Sequence, residues 1–167
     1  MKKIHFKKEN RSYYIFYCVA GLICLGLLCA KFTMHPVLVL GESMMPTYHS
    51  GELVTTEPLE EDDSPEYNSI VVFEKKDGSK RLIKRVVGVP GDTIQIIDGT
   101  LYRNGEAVED GLPKMNDTGI AYEPILIPAD SIFVLGDNRN NSFDSRFFGL
   151  VEYDQIYGVV GKSLFRR

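Results

Sequence analysis

The sequence predicts an all-β domain of short, coiled antiparallel strands that follows one apolar N-terminal helix. The helix is predicted by residues Tyr13–Ala30, which contain no charged side chain. The strands are predicted by β-branched runs separated by two-residue turn signals at Asp77-Gly78, Asp98-Gly99 and Asn104-Gly105. No other segment has convincing helical periodicity for more than two turns, so the rest of the chain is predicted as β structure.

The apolar run is long enough for a membrane anchor. Its 18 residues would span about 27 Å as a helix, which is close to the thickness of a bilayer's hydrocarbon core. Several Lys and Arg side chains precede the run and only Glu9 opposes them, so the positive-inside rule predicts a cytoplasmic N-terminus. We therefore predict a basic cytoplasmic tail at 1–11, a transmembrane anchor at 12–31 and an exported β domain at 32–167.

A cleaved secretory signal is the alternative interpretation of the apolar run. The run is long for such a signal, and Ala30-Lys31-Phe32 is a poor cleavage site because small residues are needed there. These two observations favour an anchor that stays attached, with the protein in the cell membrane and its β domain outside the cytoplasm.

Composition restricts the partners of the exported domain. Residues 32–167 hold 13 Lys and Arg against 22 Asp and Glu, a net charge of −9. This excess argues against a nucleic-acid partner and against a broad electrostatic contact with anionic lipid. All 3 cysteines lie within the apolar run, so the domain is expected to lack disulfides and to depend on its hydrophobic core.

Strands and turns alternate along the exported domain in an order that predicts successive hairpins. The first strand is predicted at Val37–Leu40, and an acidic, solvated loop is predicted at Glu57–Glu66. Val89-Pro90-Gly91-Asp92 places proline and glycine where a type II turn requires them. A less regular, polar region occupies about 99–127. The other strands are predicted at Ser69–Phe73, Leu82–Val87, Thr93–Ile97, Leu101–Arg103, Ser131–Leu135 and Gln155–Val160.

Two segments carry residue types that can form a hydrolytic site without histidine. Ser43 lies between Gly41 and Pro46, which predict a bend. Lys84 lies in an alternating strand, on the face that also carries Leu82 and Val86. A lysine on an apolar face loses hydration, which lowers its pKa and frees the amine to act as a base for a serine hydroxyl. A structural turn serine and a lysine whose head reaches water are the alternatives for each residue alone.

A third polar constellation, Asp137–Arg146, lies between two predicted strands. An ordinary solvated loop is the simplest interpretation, because Asn and Asp favour turns that their own side chains stabilise. A calcium loop is excluded, since Arg139 would occupy a ligand position and the glycine of the sharp turn is missing. The histidines show no ligand spacing and the domain has no cysteine, so neither a metal nor another cofactor is expected.

The three boxes, in this order, resemble those of type I signal peptidases, the membrane-bound Ser/Lys proteases that remove signal peptides from exported proteins. The matching pieces are Ser43–Thr47, Lys84–Asp92 and Gly136–Arg146. With the apolar run, the resemblance covers nearly the whole chain. It implies a signal peptidase-like β fold whose second β region, at about 99–127, is shortened. It also implies preprotein signal peptides and the lipid bilayer as partners.

The resemblance implies a role for the matching residues of the first two boxes. Ser43 would be the nucleophile and neutral Lys84 the general base, and the backbone N–H of Ser43 would bind the oxyanion. Some members add a serine hydroxyl two residues before the nucleophile, but Gly41 occupies that position here. The oxyanion hole is therefore expected to use backbone donors or water in place of that side chain.

The third box would support this dyad. By resemblance, Ser142 hydrogen-bonds the Lys84 amine, and Asp144 pairs with Arg146 and keeps the surrounding shell rigid. Asp137 and Arg139 would belong to the same network. Family members cleave after small residues at positions −1 and −3 of an extended substrate that adds a strand to the enzyme. Residues that would line the shallow pockets, for which core packing is the alternative role, are Val39, Leu40, Met44, Leu82 and Ile83.

Three other functions are compatible with parts of the sequence. Self-cleaving Ser/Lys repressors are soluble and carry a DNA-binding or related segment, which the apolar run and the acidic domain argue against. A dedicated signal-peptidase-like factor for surface-fibre (pilus) assembly can lack the lysine, so the presence of Lys84 favours catalysis. A membrane-anchored β domain that only binds a partner would not need three ordered boxes. General and dedicated substrate sets both remain open.

Overall fold

In a computed structural model of the chain, the described residues are 11–33, 35–59, 63–76, 78 and 80–163. They divide into two units, one containing helix α1 (Arg11–Thr33) and one that begins at Pro36. Among these residues, no helix is both long and apolar enough to cross a membrane. The structure therefore does not show the transmembrane anchor that was predicted at 12–31.

The part of the chain after α1 is mostly β structure, which confirms the predicted fold class of this region. Its strands form two sheets, and each pairing with a described register is antiparallel. A short helix, α2 (Ser145–Phe148), lies between two of the late strands. The strands are β1 (His35–Leu38), β2 (Leu53–Glu57), β3 (Ile70–Glu74), β4 (Arg81–Gly88), β5 (Thr93–Ile97), β6 (Thr100–Arg103), β7 (Glu106–Ala107), β8 (Ile125–Leu126), β9 (Ser131–Leu135), β10 (Val151–Glu152) and β11 (Ile156–Ser163).

The larger sheet has the strand order β1-β2-β11-β3-β4-β9-β10, and the smaller sheet has the order β7-β6-β5-β8. Strand β4 lies near the middle of the larger sheet, between β3 and β9. In register, Lys84 of β4 faces Val71 of β3, and Arg85 faces Leu135 of β9. The sheet thus places the predicted base in its interior.

The predicted turns between strands are confirmed where the structure describes them. Asp98 and Gly99 have φ of 48° and 74°, and Asn104 and Gly105 have φ of 55° and 82°. Two consecutive residues with positive φ are typical of the type I′ turn that closes two-residue hairpins. Gly91 has φ of 85°, as the third position of a type II turn requires. Asp77 lies outside the described residues.

Hydrophobic side chains pack on both faces of the larger sheet. Val71 and Val72 are neighbours on β3 but belong to different buried clusters, because side chains alternate along a strand. The same alternation places Ile83 in one cluster and Val86 in the other. The predicted division of this strand into two faces is therefore confirmed. A third buried cluster joins the two sheets and contains Phe133 together with side chains of β5 and β6.

Several strands were missed or misplaced from the sequence. Strand β1 begins and ends two residues earlier than the predicted Val37–Leu40. Strand β2 was not predicted, because its threonines give a weak apolar pattern, although Thr56 is buried beside Val54. The two-residue strands β7, β8 and β10 are too short to show alternation.

Candidate active site

Ser43 lies in a turn between β1 and β2, as the sequence predicted. Two backbone hydrogen bonds shape this turn, from Met45 N–H to Glu42 O at 3.1 Å and from Tyr48 N–H to Met44 O at 2.9 Å. The side chain of Met44 is 1% exposed and is part of a buried cluster. Because its neighbour is fixed in the core, Ser43 is presented at a defined place on the edge of the sheet.

The Lys84 side chain meets this turn from strand β4. Its Nζ donates hydrogen bonds to Ser43 Oγ at 2.8 Å and to Ile83 O at 2.9 Å. The residue is only 2% exposed. The structure thus brings together the two residues that were predicted as nucleophile and base, although they are 41 positions apart in the sequence.

Burial lowers the pKa of Lys84 from 10.5 to about 8, and the carboxylates of Asp144 and Asp137 oppose this shift. Removing an ammonium group from water disfavours its charged form, and this effect outweighs the two negative charges nearby. A substantial fraction of Lys84 is therefore neutral near pH 8, and a neutral amine can accept the proton of a serine hydroxyl.

Ser142 does not make the predicted hydrogen bond to Lys84. Its Oγ is buried and has no hydrogen-bond partner in the described part of the chain. The two acceptors of the lysine amine are Ser43 Oγ and Ile83 O, so this contact of the predicted shell needs correction. The hydroxyl still lies near the backbone of Ser43, because a methyl group at Gly136 would be 2.2 Å from Ser142 Oγ and 2.5 Å from Ser43 O.

Asp144 and Arg146 form the predicted ion pair, which lies next to the dyad. The guanidinium donates to both carboxylate oxygens, at 2.8 Å and 2.9 Å, and the two side chains are 0% and 2% exposed. Asp144 also caps α2 and accepts the Gly136 N–H at 3.1 Å. Arg146 donates further to the carbonyls of Arg139 and Asp117. The pair thus links Gly136, Arg139 and the start of α2, within the loop, to Asp117 in the adjacent polar region.

A second ion pair, which the sequence did not reveal, links the serine turn to the sheet. Asp137 accepts from Arg85 at 2.8 Å and 2.6 Å, and it also accepts a hydrogen bond from the Thr47 hydroxyl. Asp137 was expected to join the Asp144 network, but its partners lie on β4 and in the Ser43 turn. The sequence offered one signal for a separate ion pair. Arg85 directly follows Lys84 on β4, and adjacent side chains on a strand point to opposite faces of the sheet.

Asn138 holds the backbone of the turn that carries Ser43. Its N–H donates to Ser43 O at 3.0 Å, and its side-chain amide donates to Glu42 O at 3.1 Å. The sequence identified the polar loop but could not predict this contact, because the two partners are 95 positions apart.

The polar segment that precedes β8 also binds this loop. Arg139 donates to Asp110 at 2.6 Å, and the Asn140 side chain contacts Lys114 O and Asn116 N–H. The segment comes from the region of the smaller sheet, so residues from that region support the candidate site.

The residues expected to line substrate pockets occupy different environments. Val39, Met44 and Ile83 are buried in one cluster, which agrees with their alternative role in core packing. Leu40 is 74% exposed, and Leu82 is partly buried. In the described residues, no group of three or more His, Cys, Asp or Glu side chains could hold a metal ion.

Comparison with known families decides the classification. A family model described as signal peptidase, peptidase S26, matches residues 11–165 of the chain. The chain belongs to this signal peptidase family. Among its relatives, Signal peptidase I T of Bacillus subtilis (strain 168) is 35% identical over 82% of this chain and 77% of the relative. Signal peptidase I of Bacillus licheniformis is 33% identical over 92% and 90%.

A solved structure of a signal peptidase I from Enterococcus faecalis V583 is 33% identical and covers 59% of this chain and 98% of its own, with a TM-score of 0.49. Enzymes of the signal peptidase family are serine endopeptidases with a Ser/Lys dyad, and the chain is an enzyme of this kind. These relatives give the surface-fibre alternative no support.

Proposed function

We propose that the protein removes signal peptides from preproteins, with Ser43 as the nucleophile and neutral Lys84 as the general base. The observation that supports this assignment best is the 2.8 Å hydrogen bond between a buried lysine amine and the serine hydroxyl. A nucleophile and its base within hydrogen-bond distance form the minimum apparatus of acyl transfer by a serine protease.

In the proposed mechanism, Ser43 Oγ attacks the carbonyl carbon of residue −1 while Lys84 Nζ takes the hydroxyl proton. The same amine then gives this proton to the leaving amino group as the C–N bond breaks. Water, deprotonated by Lys84, attacks the resulting ester; the bond between Ser43 Oγ and the carbonyl carbon breaks, Lys84 returns the proton to Ser43 Oγ, and the signal peptide leaves with a new carboxylate. The hydrogen bond from Lys84 to Ile83 O orients the amine for these transfers.

The negative charge of the tetrahedral intermediate would be bound by the Ser43 N–H. Within the described residues this N–H has no hydrogen-bond acceptor, so it is free to bind the oxyanion. Gly41 supplies no side-chain donor, and its own N–H is directed to Ser50 Oγ at 3.2 Å. The oxyanion hole of this enzyme would accordingly depend on the backbone.

An extended substrate would add to the open edge of β4. Strand β9 pairs with β4 only from Arg85 onward, whereas β3 pairs with β4 from Arg81. Residues 81–84 therefore have one edge without a partner strand in the described structure. This edge ends at Lys84, so a peptide paired there would lead its carbonyl to the dyad.

We place this activity at the outer face of the cytoplasmic membrane, with residues 12–31 as the anchor. The support is the charge-free run Tyr13–Ala30 and the basic residues before it. Only 12 residues separate Ala30 from Ser43, and this short connection would keep the nucleophile close to a membrane-inserted substrate.

The direct test is cleavage of a preprotein by the detergent-solubilised full chain. We expect the wild type to cut after a small-x-small sequence, and Ser43→Ala to be inactive because it lacks the attacking oxygen. Circular dichroism of both proteins controls for folding. Cleavage by folded Ser43→Ala, or failure of the wild type on several preproteins, would contradict the proposal.

The rate should follow the titration of Lys84. Its pKa is lowered to about 8, so the neutral fraction falls about tenfold for each pH unit below that value. We expect single-turnover cleavage to rise from pH 6 to pH 8 and to level off above about pH 9. Measurement with a saturating preprotein isolates the chemical step. A flat profile over this range would exclude a titrating lysine base.

A further inference from the structure

Glu42 directly precedes the proposed nucleophile in the sequence and has no role in the mechanism above. The residue is exposed, and its Oε2 accepts a hydrogen bond from the Asn141 side chain at 3.4 Å. Its carbonyl oxygen accepts from Met45 N–H and from Asn138 Nδ2, both at 3.1 Å. The backbone of Glu42 is therefore fixed by its own turn and by the polar loop, while its carboxylate is on the surface.

The charge of Glu42 differs from the charges of the polar loop because it is not neutralised. Every charged side chain of the loop at 136–146 is buried and paired with an opposite charge, in the ion pairs Asp137–Arg85, Arg139–Asp110 and Asp144–Arg146. Glu42 contacts the neutral Asn141 and has no ion-pair partner in the described part of the chain. An unpaired surface carboxylate attracts a cation and repels an anion that comes close to it.

The structure restricts the path of a substrate after its cleavage site. A strand on the open edge of residues 81–84 whose carbonyl reaches the dyad at Lys84 would run in the same direction as β4. Its following residues cannot stay on this edge, because β9 occupies it from Arg85 onward. Leu135, the last residue of β9, pairs with Arg85, so the departing chain would meet the loop that begins at Gly136.

This loop and the serine turn are packed too closely for a peptide to pass between them. A methyl group at Gly136 would be only 2.5 Å from Ser43 O. The Asn138 N–H donates to the same oxygen at 3.0 Å, which joins the loop to the turn. The accessible route therefore crosses the surface of the exposed residues Glu42 and Asn141.

We propose that Glu42 selects the charge of the first two residues after the cleavage site, favouring a basic side chain at +1 or +2 and disfavouring an acidic one. This inference rests on the proposed function, because it requires cleavage at Ser43. Glu42 would act on the substrate and not on the base, since the carboxylates that oppose the lowered pKa of Lys84 are those of Asp144 and Asp137. Substitution of Glu42 should therefore leave the shape of the pH profile unchanged.

The test uses the wild-type full chain and peptides that span a signal-peptide cleavage site and carry Lys, Gln or Glu at +1, at +2 or at +6. At low salt we expect kcat/KM to change about threefold for each unit of charge at +1 or +2, which is the size of an exposed charge interaction. The Lys-to-Glu ratio should thus be roughly tenfold there and below about twofold at +6. At about 1 M salt, where charges are screened beyond about 3 Å, the ratio should approach one.

Two substitutions of Glu42 separate its charge from its contacts. Glu42→Gln retains an oxygen that can accept from Asn141 but lacks the charge, so the Lys-to-Glu ratio should fall below about two. Glu42→Lys should invert the preference. Glu106→Gln is the matched control, because Glu106 is exposed on β7 at the edge of the smaller sheet; it should keep the wild-type ratio.

The outcomes separate charge selection by Glu42 from the activity itself. If the wild type cleaves the peptides but Glu42→Gln keeps the Lys-to-Glu ratio, the inference is refuted while the proposed function stands. An equal effect at +6 would indicate attraction by the net charge of the domain and would also refute it. The same holds for a ratio that persists at about 1 M salt. Failure of the wild type on every peptide and preprotein would overturn the proposed function, and this inference with it.

Discussion

Lys84→Met is expected to abolish cleavage and, at neutral pH, to make the folded protein more stable. Methionine is apolar and of comparable length, so it can fill the site without a charge. It cannot accept the proton of Ser43, which should reduce the single-turnover rate by at least about a thousandfold. A catalytic group held in an unfavourable environment is a frequent cause of such opposing effects on activity and stability.

The gain in stability follows from the lowered pKa. The unfolded lysine keeps a pKa near 10.5, whereas the folded one titrates at about 8. Below about pH 8 the lysine is charged in both the unfolded and the folded state, and the folded state carries the full cost of burying that charge. This cost corresponds to about 3 kcal/mol. In Lys84→Met, the loss of the hydrogen bonds to Ser43 and Ile83 offsets part of the gain from removing it. Between pH 8 and 10.5 the unfolded state binds more protons, so stability rises with pH and the cost disappears.

Chemical denaturation at pH 7 and near pH 10.5 measures this effect. We expect Lys84→Met to exceed the wild type by about 1–2 kcal/mol at pH 7 and by little or nothing at the higher pH. Lys114→Met is the matched control, because Lys114 is exposed and should change neither quantity. A destabilised Lys84→Met at pH 7, or one that retains cleavage, would contradict the assignment of this lysine as a buried base.

Asp144→Asn is expected to cause the largest loss of stability. It leaves the Arg146 guanidinium buried with a neutral partner, and breaking a buried ion pair on one side costs about 3–5 kcal/mol. The substitution also weakens the acceptor of the Gly136 N–H, so the chain beside Ser43 should lose its position. Denaturant titration gives the free energy of unfolding, and preprotein cleavage at a temperature where the variant is folded gives the activity.

A double variant separates charge burial from positioning. Asp144→Leu with Arg146→Met removes both charges, so we expect it to recover much of the stability that Asp144→Asn loses. Its cleavage should remain low, because the α2 cap and the contact with Gly136 are still missing. Glu74→Gln is the control for an exposed pair, since Glu74 and Arg81 are about half exposed; it should cost less than about 1 kcal/mol. Full activity in the double variant would show that the pair only contributes stability.

The sequence predicted the strands that alternate clearly and the turns that need positive φ. Asp98-Gly99 and Asn104-Gly105 were identifiable because only a few residues adopt that backbone conformation readily. Strand β2 was missed because threonine counts as a polar residue in a hydrophobicity pattern, even where it is buried in a sheet. Strands of two residues are determined by their partners, which local patterns do not reveal.

The two residues proposed for the dyad were predicted from residue types, turn chemistry and alternation, together with the family resemblance. Their mutual distance was not predictable from local sequence, since it depends on how the turn of Ser43 meets strand β4. The partners of Asp137 were missed for the same reason, because Arg85 and Thr47 are far from it in sequence. Spatial neighbours of this kind depend on the tertiary packing of the chain.

The contacts of Asn138 with Glu42 and Ser43 have a consequence for biosynthesis. The serine box is made early by the ribosome, but the loop that holds it is made nearly a hundred residues later. Closing such a long loop requires most of the intervening chain to be folded. An unfinished chain therefore lacks the contacts that hold the proposed nucleophile, and we expect proteolytic competence only when the late strands are in place.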